Sequence, residues 1–167
     1  MKKSLPVFFD TEFTSLEVNA ELISIGLITA SGEEFYAELA VNPSKCSSFV
    51  IESVLPLLDG SSPMTFSELA VSLKKWIESM KGEVVLISDA IKLDWPFIYD
   101  LFEKLGYPEN MKQGEPISFW IPKDKEPLFD QALEDYWFQH SDQRHHALFD
   151  ARSLYYAWSR VRTNQTP

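Results

Sequence analysis

The chain has 167 residues, 45% of them hydrophobic and 14% aromatic, enough to bury one sizeable core. A formal net charge of −10 argues against a general-purpose nucleic-acid binder, which carries a basic face, while leaving room for an enzyme in which metal ions neutralise a phosphate at one point. The single cysteine, Cys46, excludes an intramolecular disulfide and a cysteine-based zinc cluster.

After Lys2 and Lys3 the apolar run Leu5 to Phe9 closes on Asp10, which is too short for a signal peptide. No later stretch is long enough to span a bilayer, so a soluble, cytoplasmic protein with no membrane partner is expected. Val7-Phe8-Phe9-Asp10-Thr11-Glu12-Phe13-Thr14 begins as a run of strand formers and ends on two carboxylates. Side chains two apart on a strand share a face, so Asp10 and Glu12 should project together. Like charges held that close raise each other's pKa unless a cation lies between them, and a divalent metal is the simplest cation to propose. An isolated acid-x-acid more often just ends a strand, so the case rests on partners elsewhere in the chain.

Glu21 to Ala30 (ELISIGLITA) reads as a central strand, Ser31-Gly32-Glu33 as a turn and Glu34 to Val41 as a third strand, together an antiparallel meander ended by Asn42-Pro43-Ser44. Phe49 to Leu58 is ambiguous, with a short helix one reading. Thr65-Phe66-Ser67-Glu68 has the form of a capping box. The helix it opens buries Leu69, Leu73, Trp76, Ile77 and Met80 and stops at Gly82. Glu83 to Ser88 is a buried strand ended by Asp89. Asp94 then opens a helix with Pro96 in its first turn and an apolar face of Phe97, Ile98, Leu101, Phe102 and Leu105. Ile117 to Ile121 predicts a fifth strand, Pro122 to Pro127 a surface loop, Leu128 to Phe138 a helix and Ser141 to Arg144 a loop. A last helix runs from about His146 to Arg162, and its stripe of Leu154, Tyr155 and Trp158 fits a packed face better than a base-stacking platform. Residues 1–163 are expected to form one domain and 164–167 a frayed tail. The order of elements predicts an α/β fold, a central five-stranded mixed sheet flanked by helices.

Two further stretches place acids at element ends, Asp89 to Phe97 and His145 to Ala151. Asp94 alone is most simply a helix N-cap. Asp150 lies among Leu148, Phe149, Ala151 and Leu154, where an unpaired carboxylate is expensive unless Arg152 or another cation pairs it. Taken together, the stretches resemble the DEDDh 3′→5′ exonucleases, the DnaQ-like branch of the ribonuclease H-like fold. DTEFT is similar to the first exonuclease motif at Asp10 and Glu12, LDWPFI to the second at Asp94, and HHALFDA to the third at His145 and Asp150. Where many members have an Asn four residues before the second-motif Asp, this chain has Ala90 preceded by Asp89. That spelling is closer to the small stand-alone bacterial exoribonucleases of mycobacterial type, which also begin DTEF, and it leaves open whether Asp89 assists a metal. The usual Thr-Thr-Gly is replaced by Phe13-Thr14-Ser15, while Leu16 keeps the place of an apolar wedge against the terminal base.

The resemblance implies a metal-dependent 3′→5′ exoribonuclease releasing nucleoside 5′-monophosphates. Asp10, Glu12, Asp94 and Asp150 would hold two Mg²⁺ or Mn²⁺ ions, with Asp10 bridging and the ions about 3.5–4 Å apart. His145 would be the general base, with activity rising through an imidazole pKa near about 6.5. Phe13, Thr14 and Leu16 would contact substrate. His146 is a rival base, because four residues before Asp150 it would share a helical face; the family spacing favours His145. Expected partners are single-stranded RNA or a 3′ overhang, and a second copy in a homodimer. The same chemistry on DNA is the runner-up, lowered because only a few polar residues follow the last helix where proofreading subunits carry a polymerase-binding extension. A catalytically silent nuclease-fold module is a third reading, against which the intact acids and histidine speak.

Overall fold

Strand β1 (Ser4–Phe13) lies at the centre of a five-stranded sheet because Val7, Phe8 and Phe9 are apolar on both of its faces and are wholly buried. The structure is a computed structural model that describes residues 4–60 and 62–163, so the expected frayed tail lies outside the described residues. β1 pairs antiparallel with β2 (Leu22–Thr29), which pairs antiparallel with β3 (Glu34–Glu38). On its other side β1 runs parallel to β4 (Glu83–Ser88), which pairs in parallel with the two-residue β5 (Glu115–Pro116). The strand order β3-β2-β1-β4-β5 makes the sheet mixed, as expected.

Alternation along β1 feeds a core on each face of the sheet. Val7 and Phe9 pack with Leu69, Leu73 and Ile77 of α2 (Phe66–Glu78) and with Ile98, Leu101 and Phe102 of α3 (Ile91–Glu103). Phe8 packs with Phe129 and Ala132 of α4 (Glu126–Gln139) and with Ala151, Leu154 and Trp158 of α5 (Ala147–Thr163). A smaller cluster joins Ile23 to Val50 and Val54, at and just past the short helix α1 (Ser48–Ser53). The capping box of α2 forms as its spacing predicts: Thr65 Oγ1 accepts the Glu68 N–H at 3.2 Å and the Glu68 carboxylate accepts the Thr65 N–H at 2.8 Å.

Several elements differ from expectation: β3 ends at Glu38 rather than Val41, and α2 ends at Glu78 ahead of Gly82. The fifth strand is Glu115–Pro116, and Ile117–Phe119 turns as a 3-10 segment instead. A strand over 117–121 would put Phe119 on the same face as Ile117 and Ile121. Those two are buried while Phe119 is 78% exposed. Helix α3 opens at Ile91 rather than Asp94, so Pro96 lies inside it and Asp94 sits in its first turn instead of capping it. Helix α4 starts at Glu126, taking Pro127 into its first turn, where a missing N–H costs nothing.

Helix α5 crosses β1 and β2, and its start rests on Gly26. A Cβ at Gly26 would run into the backbone of Ala147 and Leu148, so only glycine lets the helix end approach the strand. Gly26 is the residue of β2 paired with Asp10, which makes this the contact that brings α5 up to the acid-bearing part of β1. Among the described residues no helix is long and apolar enough to cross a membrane.

Candidate active site

β4 pairs with β1 as far as Ile87 opposite Phe8 and then turns away through Asp89 into α3, leaving the rest of β1 open on that side. Asp10 and Glu12 occupy the open stretch, and the β1–β2 register slips between Glu12 and Phe13, a kink of the kind that re-aims side chains next to a site. From one face of the sheet α5 brings Asp150, and from the other α3 brings Asp94. Carboxylate oxygens of Asp10, Glu12 and Asp150 lie within 4.8 Å of one another, and so do those of Asp10, Asp89 and Asp94. Asp10 belongs to both groups. The four acids singled out from the sequence are therefore brought together, and Asp89 joins them.

Their environments differ. Asp94 is buried and receives two hydroxyl hydrogen bonds, from Thr11 Oγ1 to Oδ1 at 2.6 Å and from Ser88 Oγ to Oδ2. Burial pushes its pKa up to about 6 against the pull of those two donors. Asp150 has a buried Oδ2 with no hydrogen-bond partner. Burial raises it to about 7, opposed by the backbone N–H groups at His145 and His146 and by the Arg144 charge. Burial lifts Glu12 to about 9, with Asp150 and Asp94 adding repulsion. Asp10 is held well above the ordinary carboxylate range, first by burial and then by Asp94, Asp150, Glu12 and Asp89. Arg152, the cation that sequence reasoning offered to Asp150, is instead bound to Glu34 through two hydrogen bonds of 2.7 and 2.8 Å.

No Lys or Arg is among the residues lining this cleft, which has a volume of about 680 Å³. An all-carboxylate donor set with a buried, unpartnered oxygen fits a hard divalent cation, whose charge would offset the burial and mutual repulsion of the acids.

The two histidines separate cleanly. α5 begins at Ala147, after both of them. His145 lines the cleft with its ring edge-on to Phe49, centroids 4.9 Å apart. Among the described residues it is the one non-glycine residue with positive φ, at 69°. Burial lowers its pKa, and Arg144 lowers it further. His146 is buried, stacked on Tyr36 with ring centroids 4.6 Å apart, and its Nδ1 accepts the Leu148 N–H at 3.3 Å. It caps the helix and does not line the cleft.

Of the three residues expected to contact substrate, Phe13 and Leu16 line the cleft and Thr14 does not. Phe13 stacks on Phe97 with centroids 5.1 Å apart, and Leu16 is 82% exposed. Thr14 is buried and ties the loop down: its hydroxyl accepts the Glu21 N–H at 2.9 Å, and its carbonyl accepts the Ser47 N–H at 2.9 Å. Phe49 and Leu93 complete the apolar wall and were missed. Phe49 lies in a segment whose breakers obscure any periodicity, although Ser47 caps α1 by accepting the Val50 N–H and could have marked it. Thr11 and Ser88 were also missed; hydroxyl residues at strand ends beside acids are the signal that would have found them. A larger cavity, about 820 Å³, lies at the other end of β1 beside Leu5, Trp120 and Trp158, and none of these acids reaches it.

No protein-family model and no curated protein matches the chain. Solved structures do. The chain is similar to the exonuclease I of the ExoI/SSB-Ct complex, with a TM-score of 0.63 and 11% identity over 98% of this chain and 42% of that one. A product-bound exonuclease I gives 0.62 and 11% identity over 96% of this chain and 44% of that one. The moderately thermophilic exonuclease I of Methylocaldum szegediense gives 0.59 and 14% identity over 99% and 41%. The chain thus spans about two-fifths of the length of these exonuclease I chains. At such low identity the likeness is one of fold: this chain has the α/β, ribonuclease H-like architecture of the exonuclease I structures.

Proposed function

We propose that the chain is a metal-dependent 3′→5′ exonuclease acting on single-stranded RNA and releasing nucleoside 5′-monophosphates. The observation that carries the reading is that Asp10 belongs to two carboxylate groups at once, with His145 on the wall of the same cleft. The exonuclease I fold supports the reaction class, and the DTEF stretch with its Asp89 spelling supports RNA as the substrate. Asp10, Glu12, Asp94 and Asp150 would hold two Mg²⁺ or Mn²⁺ ions, which supply charge neutralisation for the attacking and leaving oxygens of an in-line displacement.

The chain's own residues do the rest. His145, its pKa lowered, is neutral near neutral pH and takes a proton from the attacking water as the new P–O bond forms. The bond from phosphorus to the upstream 3′ oxygen breaks, and that oxygen leaves as an oxyanion that takes a proton from solvent water to become the 3′-hydroxyl of the shortened strand. Thr11 and Ser88 fix the Asp94 carboxylate by hydrogen bonds before substrate arrives. Phe13, Leu16, Phe49 and Leu93 offer the terminal base an apolar wall.

Matched RNA and DNA oligonucleotides, labelled at the 3′ or the 5′ end, test this with Mn²⁺, Mg²⁺ or chelator. The expected result is stepwise release of mononucleotides from the 3′ end, faster on RNA and absent in chelator. Turnover that survives chelation, or label released first from the 5′ end, overturns it.

A further inference from the structure

A second cavity of about 460 Å³ lies against the cleft and shares Asp89, His145 and Asp150 with it. We propose that this cavity is the subsite for the strand on the 5′ side of the bond being cut, with Arg144 as the ligand for its phosphodiester. The proposal rests on the nuclease reading above and adds to it where the uncleaved strand is held.

An enzyme that trims a polymer must grip it on both sides of the reacting bond, and residues common to two adjoining cavities mark where that bond lies. The cleft has the apolar wall suited to one terminal base and no cation. The second cavity is walled by Leu133, Glu134 and Trp137 of α4, and Arg144 is the one arginine or lysine among the residues lining either space. Near Asp89, Glu134 and Asp150 a phosphate is repelled unless a cation stands beside it. The Arg144 guanidinium sits over the Trp137 ring, 5.3 Å from its centroid, and Trp137 is itself braced edge-on by Tyr136 at 5.1 Å. A guanidinium lying on an aromatic face keeps its N–H donors in its own plane, a fork that suits phosphate oxygens. Arg144 enters no ion pair among the described residues, whereas Arg152 on the same side is consumed by Glu34. The chain's bulk charge repels a polyanion, so a local cation here would decide whether a second nucleotide is tolerated.

The test compares wild type, Arg144→Gln and Arg144→Lys on two substrates. One is an RNA trinucleotide, which has a phosphodiester upstream of the scissile bond. The other is the nitrophenyl ester of a nucleoside 5′-phosphate, which has none. For Arg144→Gln the ratio of kcat/KM on the trinucleotide to that on the ester falls about tenfold or more, chiefly through KM. Arg144→Lys recovers part of the loss, because it keeps the charge and lacks the fork. A ratio equal to that of wild type in Arg144→Gln overturns the subsite, as a purely structural arginine would leave the ratio unmoved. If wild type turns over neither substrate, the nuclease reading fails. Binding of a fluorescein-labelled trinucleotide with Ca²⁺ then judges the subsite alone: weaker binding in Arg144→Gln upholds it, and equal binding overturns it.

Discussion

The two carboxylate groups that share Asp10 are built on opposite principles. On the α3 side, Asp94 is buried with each oxygen accepting a hydroxyl, so its orientation is set by the protein alone. On the α5 side, Asp150 leaves one buried oxygen without a partner, and Glu12 is raised to about 9 by burial and by its neighbours' charge. One half is pre-organised by hydrogen bonds. The other is incomplete without a counter-charge, and its cohesion depends on what binds there.

The sharpest way to separate the halves is to neutralise one acid in each. Asp150→Asn and Asp94→Asn should both reduce turnover to background. In thermal melts without metal at pH 8 they should diverge: Asp150→Asn melts a few degrees higher because a repelling charge is gone. Asp94→Asn melts lower, since its amide nitrogen faces a hydroxyl donor that has lost its acceptor, at about 1–3 kcal/mol. Next in size, His145→Ala should cut kcat by about 10²–10⁴-fold while the thermal shift on adding Mn²⁺ persists. His146→Ala should instead cost about 1 kcal/mol of stability through its lost cap and spare most of kcat. The reverse pattern would move the general base to His146.

Gly26→Ala attacks the α5 half selectively. Its Cβ must displace the start of the helix, so Asp150 retreats from Asp10 while Asp94 stays in place. Activity should fall about 10²-fold, the scale of a small misplacement, with weaker Mn²⁺ binding by calorimetry. Thr11→Val and Ser88→Ala loosen the other half, each lowering metal affinity or activity about 10–100-fold. The smallest effect is on pH. Glu12, Asp150 and Asp94 have folded-state values raised to about 9, 7 and 6, so the folded state favours their protonated forms. Stability fully present below about pH 4 is therefore lost as pH rises through those values when metal is absent. The stabilisation by Mn²⁺ should accordingly grow between about pH 5 and 9, read as the difference in melting temperature with and without chelator.

Where chemistry was local, it was legible in the sequence. The apolar run ending at Asp10 marked the first strand, Thr65 and Glu68 marked a helix start, and Glu83 to Ser88 matched β4 residue for residue. The acids were found because they sit at the ends of such elements. What escaped was set by tertiary approach. Gly26 is one small residue in an apolar strand until α5 is laid across it. Asp94 read as a cap because Pro96 suggested a first turn, yet Ala90 starts the helix with no side-chain cap at all. The apolar run from Ile117 mimicked a strand because its buried residues fall four apart, a spacing that a strand and a turn both satisfy.

The left-handed backbone at His145 has an outcome for anyone selecting variants of this protein. A non-glycine residue there costs on the order of 1–2 kcal/mol, which glycine would recover and asparagine would reduce. A library screened for heat tolerance alone should drift toward those two residues at this position, and under the proposed mechanism each winner should be sturdier and far slower. Screening for heat tolerance and turnover together is what would keep the imidazole.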